Sequence, residues 1–227
     1  MTVPSSQHSL QLQYEQKMAY FEERLQAYRQ VIGGWPTRLV SAEQEREIRF
    51  LWEKDYAHAA SLLQEHAGDI AVQLVLADLL RMGHNIGIAD AAKNADALLD
   101  TIFQADEVNL KAMLCRASMY VCLQAELMPE AERLFTRLLE ITYPYVDPEV
   151  YQGLGFACLH QNRNEEAIDY FGKYLKLVPA NDKIRELLGK LQAGERGQST
   201  HHADARLLST KQNTQVFERM KPWWKLW

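Results

Sequence analysis

Residues 148–181 read PEVYQGLGFACLHQNRNEEAIDYFGKYLKLVPAN. The apolar positions recur at helical spacing on both sides of Gln161–Asn164, so the stretch predicts two antiparallel helices joined by a tight turn. Gly155 and Ala167 lack bulk and let the two backbones approach closely. Tyr151, Leu154, Leu159, Ile168, Phe171 and Leu175 fill the seam between the helices and toward the next unit. Pro179 then ends the second helix. A hairpin of this size cannot bury its apolar face alone, so it predicts neighbours stacked on both sides.

The block resembles a tetratricopeptide repeat: Tyr151 is the large aromatic, Leu154-Gly155 the Leu-Gly pair, and Ala167 the small residue of the second helix. Phe171 is the aromatic four residues later and Pro179 the terminal proline. The fold class this implies is all-α, a right-handed superhelix of tandem helical hairpins. Stacked hairpins of this kind make grooves for other polypeptides rather than active sites.

The remaining sequence is compatible with that reading. The chain has 227 residues, enough for one extended domain or one domain with arms. It is 47% apolar and 24% charged, as expected of a soluble globular protein. Formal net charge is -5 and no Lys/Arg run alternates with aromatics, which argues against nucleic acid as a partner. The start, MTVPSSQHSLQLQYEQ, lacks the basic and apolar regions of a signal peptide. No apolar run approaches the ~18–20 residues needed to span a bilayer. Cys115, Cys122 and Cys158 all fall at apolar-facing helical positions, and Cys115 and Cys122 are too far apart along one helix to bridge. Small buried thiols in a reducing, cytoplasmic setting are expected.

Working outward, residues 1–9 are polar and expected to be disordered. Residues 10–35 form an N-terminal helical arm, in which Tyr14, Met18, Phe21, Leu25, Tyr28 and Ile32 follow a heptad spacing. Gly33-Gly34-Trp35-Pro36 ends it. The arm either folds back over the first repeat or pairs with its counterpart in a homodimer. Residues 40–192 are expected to hold about four hairpins and a capping helix. Ser41-Ala-Glu-Gln44 is a capping box that opens a helix to about Lys54. Asp55-Tyr56 should turn the chain, with Ala57–His66 returning as the second helix of a degraded repeat. Ile70–Met82 begins the next repeat, whose Leu76-Ala77 stands for the Leu-Gly pair. Its long turn, Gly83–Gly87, offers a loop tip as a contact site before a helix from about Ile88 to Gln104. Glu107–Ala125 and Pro129–Ile141 make the third hairpin, with a stretched turn. After the strong repeat, Asp182–Gln192 reads as a terminal capping helix. Residues 193–205 are expected to be a polar linker, followed by a short helix to about Met220. A Trp-rich tail, Lys221–Trp227, closes the chain.

No catalytic constellation is visible. His201-His202 with Asp204 is no convincing metal set, His58 and His66 stand two turns apart, and Gly83–Gly87 lacks the Lys-Ser/Thr of a phosphate loop. No cofactor is expected, and the chain reads as a non-enzyme. The resemblance implies that the first helix of each repeat lines the inner groove. The positions it assigns include Leu74, Asp78 and Arg81 in the second repeat, Leu114 and Val121 in the third, and Gln152, Phe156 and Leu159 in the fourth. Family members that clamp a chain-end carboxylate use Lys, Asn and Arg at such places. Leu74, Asp78, Gln152 and Phe156 stand there instead, so that clamp is absent. The stripe Leu74, Leu114, Val121, Phe156 and Leu159 suits an apolar peptide or an amphipathic helix. Trp223, Trp224 and Trp227 have the composition of a binding hot spot, able to dock in a groove, touch a membrane interface beside Lys221 and Lys225, or recruit a partner.

The function expected is a scaffold or adaptor that holds a partner's apolar segment. In size, acidic balance and N-terminal helix it resembles the repeat chaperones of bacterial secretion systems, in general architecture and with a longer chain. The alternative is an assembly or tethering subunit of an enzyme or membrane complex, acting through its termini.

Overall fold

The computed structural model describes residues 6–34 and 37–200. Its contacts divide the chain into two units, residues 1–174 and 175–227. Among the described residues all regular structure is helical: α1 (Ser6–Val31), α2 (Ala42–Glu65), α3 (Ile70–Asn85), α4 (Ala91–Ala105), α5 (Leu110–Leu123), α6 (Met128–Thr142), α7 (Pro148–His160), α8 (Asn164–Leu177) and α9 (Asp182–Thr200). A 3₁₀ turn, Ala125–Leu127, leads into α6.

Side chains start these helices by accepting hydrogen bonds from the free N–H groups of the first turn. Ser41 Oγ accepts from Gln44 N at 3.1 Å, while Gln44 Oε1 accepts from Val40 N at 2.9 Å. Asp69 caps α3 through Ala71 N (2.8 Å), Asn109 caps α5 through Ala112 N (3.0 Å) and Asp147 caps α7 through Glu149 N (2.8 Å). The capping box at Ser41 is therefore present as predicted.

The helices of the first unit pair in sequence order. Helix α3 packs on α4, α5 on α6, and Phe171 of α8 on Gly155 of α7. Each first helix also packs on the preceding first helix, α3 on α1, α5 on α3 and α7 on α5. This is the stacking of tandem hairpins. Its close contacts depend on absent side chains. A Cβ on Gly155 would lie 2.5 Å from Phe171 Cε1, and a Cβ on Gly153 would run into the ring of Phe135 in α6. Phe135 and Phe171 are 1% and 0% exposed, and Ala131 and Ala167, each four residues before them, are fully buried.

The first hairpin is built differently from the prediction. No turn occurs at Asp55-Tyr56, because α2 runs unbroken through it. Asp55 is 3% exposed and accepts hydrogen bonds from three side chains of α1: Tyr20 OH, Arg24 Nε (2.7 Å) and Tyr28 OH (2.6 Å). A carboxylate supplied with that many donors is satisfied inside a helix and has no need of a turn. The pairings Tyr14–Asp69, Lys17–Glu65 and Tyr20–Asp55 show that α1 and α2 run antiparallel. The arm at 10–35 is thus the first helix of the first hairpin, with α2 as its second.

This arrangement also decides between the two expectations for the heptad seam. Phe21, Leu25, Tyr28 and Ile32 lie in one core with Trp52, Ala59 and Leu62 of α2 and Val72, Val75 and Leu79 of α3. The seam proposed for a homodimer is filled from within the chain. Residues 6–9, expected to be disordered, belong to α1, and the linker expected from residue 193 begins no earlier than the end of α9 at Thr200. Gly194 costs a helix only about 1 kcal/mol.

The long turn of the second repeat is also shorter than predicted. Gly83, His84 and Asn85 are helical, and Gly83 is buried where a Cβ would lie 2.5 Å from Trp52 Cζ2. Trp52 Nε1 donates to the Leu79 carbonyl at 2.7 Å, and Arg49 donates to the Ile86 carbonyl. Gly87, with φ 74°, makes the turn proper. The expected loop tip is largely packed against α2.

In the second unit, Asn181 Oδ1 accepts from Ile184 N at 3.2 Å and starts α9, while Glu186 and Lys190 pair at 2.6 Å on its exposed face. A helix is present where one was expected at 182–192, and it runs on to Thr200. The Tyr143-Pro144 peptide bond, between α6 and α7, is cis.

Candidate functional site

Because α1, α3, α5 and α7 lie side by side, one row of first helices faces the same way along the first unit. The expected groove residues divide along this row by chemistry. Leu74, Leu114, Val121, Gln152 and Phe156 are half-buried. Phe156 is braced edge-on against Phe171, with ring centroids 5.1 Å apart. Leu159 is buried at 7% exposure, so it is not an open groove contact. Trp223, Trp224 and Trp227 lie outside the described residues, as do His201, His202 and Asp204.

Asp78 and Arg81 differ from the expectation of open groove contacts. They are 7% and 3% exposed. Asp78 Oδ1 accepts from Arg81 Nε at 2.7 Å and Oδ2 from Arg29 Nη2 at 2.8 Å, so both oxygens are engaged. Arg81 Nη1 continues to the Gly33 carbonyl at 2.6 Å, and Asn85 Nδ2 donates to the Ile32 carbonyl at 2.8 Å. Two side chains of α3 therefore bond the first two carbonyls beyond the C-terminus of α1, the end where a cation also meets the negative pole of the helix dipole. Cys115 Sγ of α5 lies 4.0 Å from Asp78 Oδ1.

Electrostatics follow from that geometry. Burial disfavours the charge of Asp78, but Arg81 and Arg29 outweigh it and hold its carboxyl below the usual range. Burial likewise opposes the charge of Arg81, and Asp78 restores it. Burial, then the neighbouring Asp78, pushes the Cys115 thiol up to about 12, which leaves it an inert thiol. Glu149, in the first turn of α7, is raised by burial, against the pull of Arg81 and Arg29 and with the help of Asp147 and Asp78. Burial also lowers His84 and His160. The result is a polar line crossing four first helices, from Arg29 through Asp78 and Arg81 to Cys115 and Glu149.

Sequence reasoning missed this line because its members are far apart in the chain. Arg29 lies 49 residues before Asp78. The stretched turn of the third hairpin, which was visible, opens a shallow pocket of ≈ 290 Å³ bounded by Ala92, Tyr120, Leu123 and Leu127. Among the described residues no group of three His, Cys, Asp or Glu side chains is placed to hold a metal ion. His58 packs against the rings of Tyr20 and Phe21 (5.7 and 4.9 Å) and His66 against Tyr14 (5.1 Å). No described helix is long and apolar enough to cross a membrane.

Consecutive hairpins stacked through a row of first helices define a helical-repeat architecture. The family model for the tetratricopeptide repeat matches residues 148–181, so the hairpin α7–α8 is similar to one unit of that family. No curated protein matches the chain, and no solved structure does.

Proposed function

We propose that the chain is a non-catalytic scaffold or adaptor, chaperone-like in action, that holds an apolar peptide or the apolar face of a partner's amphipathic helix along its row of first helices. The supporting observation is the set Leu74, Leu114, Val121 and Phe156, half-buried side chains on three adjacent first helices. Side chains at i, i+3, i+4 and i+7 of an amphipathic helix match such a row. Gln152 contributes a polar edge, and Leu159 is buried beside it on α7. The setting is a reducing, cytoplasmic one, in which the buried Cys115 and Cys158 remain thiols.

Binding of an array of amphipathic peptides to the full chain, read by fluorescence anisotropy, tests this reading. Peptides with Leu or Phe at helical spacing should bind, and Leu114→Glu should weaken them about tenfold or more. Absence of binding by any such peptide, or equal binding by a folded Leu114→Glu protein, would overturn it.

A tethering role through the termini is the second reading. Leu10 and Leu12 are 64% and 48% exposed on the first turns of α1, ahead of the point where Tyr14 meets His66 at the end of α2. If this reading is right, removing residues 1–13 abolishes partner recovery and leaves peptide binding in the groove unchanged. The roles envisaged for Trp223, Trp224 and Trp227 belong with it and are tested in the same way, by removing residues 221–227.

A further inference from the structure

At the junction of α1 and α3, two guanidinium groups share one carboxylate. Arg81 is 3% exposed and is fully engaged with Asp78 and the Gly33 carbonyl. Arg29 reaches Asp78 with Nη2 at 2.8 Å, and its side chain is 44% exposed. Both Asp78 oxygens are occupied, so a single negative charge in direct contact serves two positive ones. Glu149, half-buried in the first turn of α7, acts on both arginines through space without a hydrogen bond to either. Arg29 therefore presents the open side of its fork to solvent, on a chain whose overall charge is -5. A guanidinium fork of this kind takes a carboxylate in a side-on, two-bond geometry.

Leu74 lies one turn before Asp78 on α3, and Leu114 adjoins Cys115, whose Sγ is 4.0 Å from Asp78 Oδ1. A half-exposed cation on the same row of first helices as these two half-buried leucines selects a segment that carries an acid among apolar residues.

We propose that the segment held in the groove carries an internal Asp or Glu beside its apolar anchors, and that Arg29 receives that side chain. The inference rests on the groove reading above. It concerns a side chain and not a chain end, since Leu74, Gln152 and Phe156 stand where a cluster of donors would have to gather around a terminal carboxylate.

The test uses C-terminally amidated amphipathic peptides with one apolar face and a single Glu, Gln or Lys moved through the polar positions. Binding to the full chain is read by anisotropy. At one register the Glu peptide should bind about tenfold tighter than its Gln counterpart, and added salt should narrow the gap. Arg29→Gln should bind the two alike, and Arg29→Lys should keep part of the preference. The Glu–Gln comparison is made on the unaltered protein, so it stands even if Arg29→Gln folds poorly. Equal binding of Glu and Gln peptides by the unaltered protein overturns the proposal while leaving the groove reading intact. So does a preference that survives in a folded Arg29→Gln protein, or one that appears only with free C-terminal carboxylates. Failure of every apolar peptide to bind overturns the groove reading and this inference together.

Discussion

The hairpins α1–α2 and α7–α8 perform the same task with opposite chemistry. In α7–α8 the helices close on missing side chains: Gly155 admits Phe171, and Gly153 admits Phe135 from the hairpin before. In α1–α2 they close around a buried carboxylate, Asp55, with Tyr20, Arg24 and Tyr28 as its donors. Burial, followed by the bond to Asp55, pushes the Tyr28 phenol up, so it remains a donor across the ordinary pH range. Close apolar packing tolerates almost no added volume, whereas a polar knot tolerates almost no lost partner. One motif, repeated along a chain, can therefore fail in different ways at its two ends.

The largest effect should come from cutting the knot. Asp55→Ala leaves Arg24 and two phenols without their acceptor, and should cost about 3–5 kcal/mol in urea unfolding. A smaller loss would place the strength of the first hairpin in its apolar core instead. Gly153→Ala should follow, at about 1–3 kcal/mol, because a methyl there meets the Phe135 ring. Its control is Gly172→Ala on α8, where nothing lies within 4 Å and a gain of about 0.5–1 kcal/mol is expected. Equal effects at the two glycines would show that close approach is not what Gly153 provides.

The polar line should also bend the pH profile of stability, with opposite signs at its two carboxylates. The folded-state carboxyl of Asp78 is lowered, so its contribution is present above the unfolded value and is lost as pH falls through the folded one. Glu149 is raised, so stability declines as pH climbs from the unfolded value through the folded one. Urea midpoints at about pH 4 and about pH 7 should show Asp78→Asn losing more at neutral pH than in acid. Glu149→Gln should gain at neutral pH and little in acid. Parallel profiles for both variants would remove these groups from the pH response. The smallest effect belongs to Ser41→Ala, about 1 kcal/mol for loss of the α2 cap, read as a shift in thermal midpoint.

The contrast also explains what was legible in the sequence. Small residues at fixed spacing report close packing locally, so Gly155, Ala167 and Phe171 announced the fourth hairpin within 34 residues. Gly153, two residues from Gly155, was equally diagnostic, but its partner Phe135 belongs to another hairpin. The heptad of α1 revealed a buried face without saying which surface covers it. Asp55 looked like a turn residue because its donors are 27 to 35 positions away. Within the candidate site, the half-burial of Leu74, Leu114 and Phe156 followed from helical position. The burial of Asp78 and Arg81 did not, since Arg29 and the Gly33 carbonyl that engage them come from α1.

Asp78 also affects how this array can be cut. Tandem hairpins commonly touch only their neighbours, so units can be removed from an end and the remainder still folds. Here one carboxylate of the second hairpin neutralises an arginine of the first and aligns another that closes the first helix. Trimming the chain from its N-terminus would leave Arg81 and Asn85 without the carbonyls they serve. The first two hairpins are one block, and a minimal fragment has to keep the part of α1 that carries Arg29 and leads into Ile32 and Gly33.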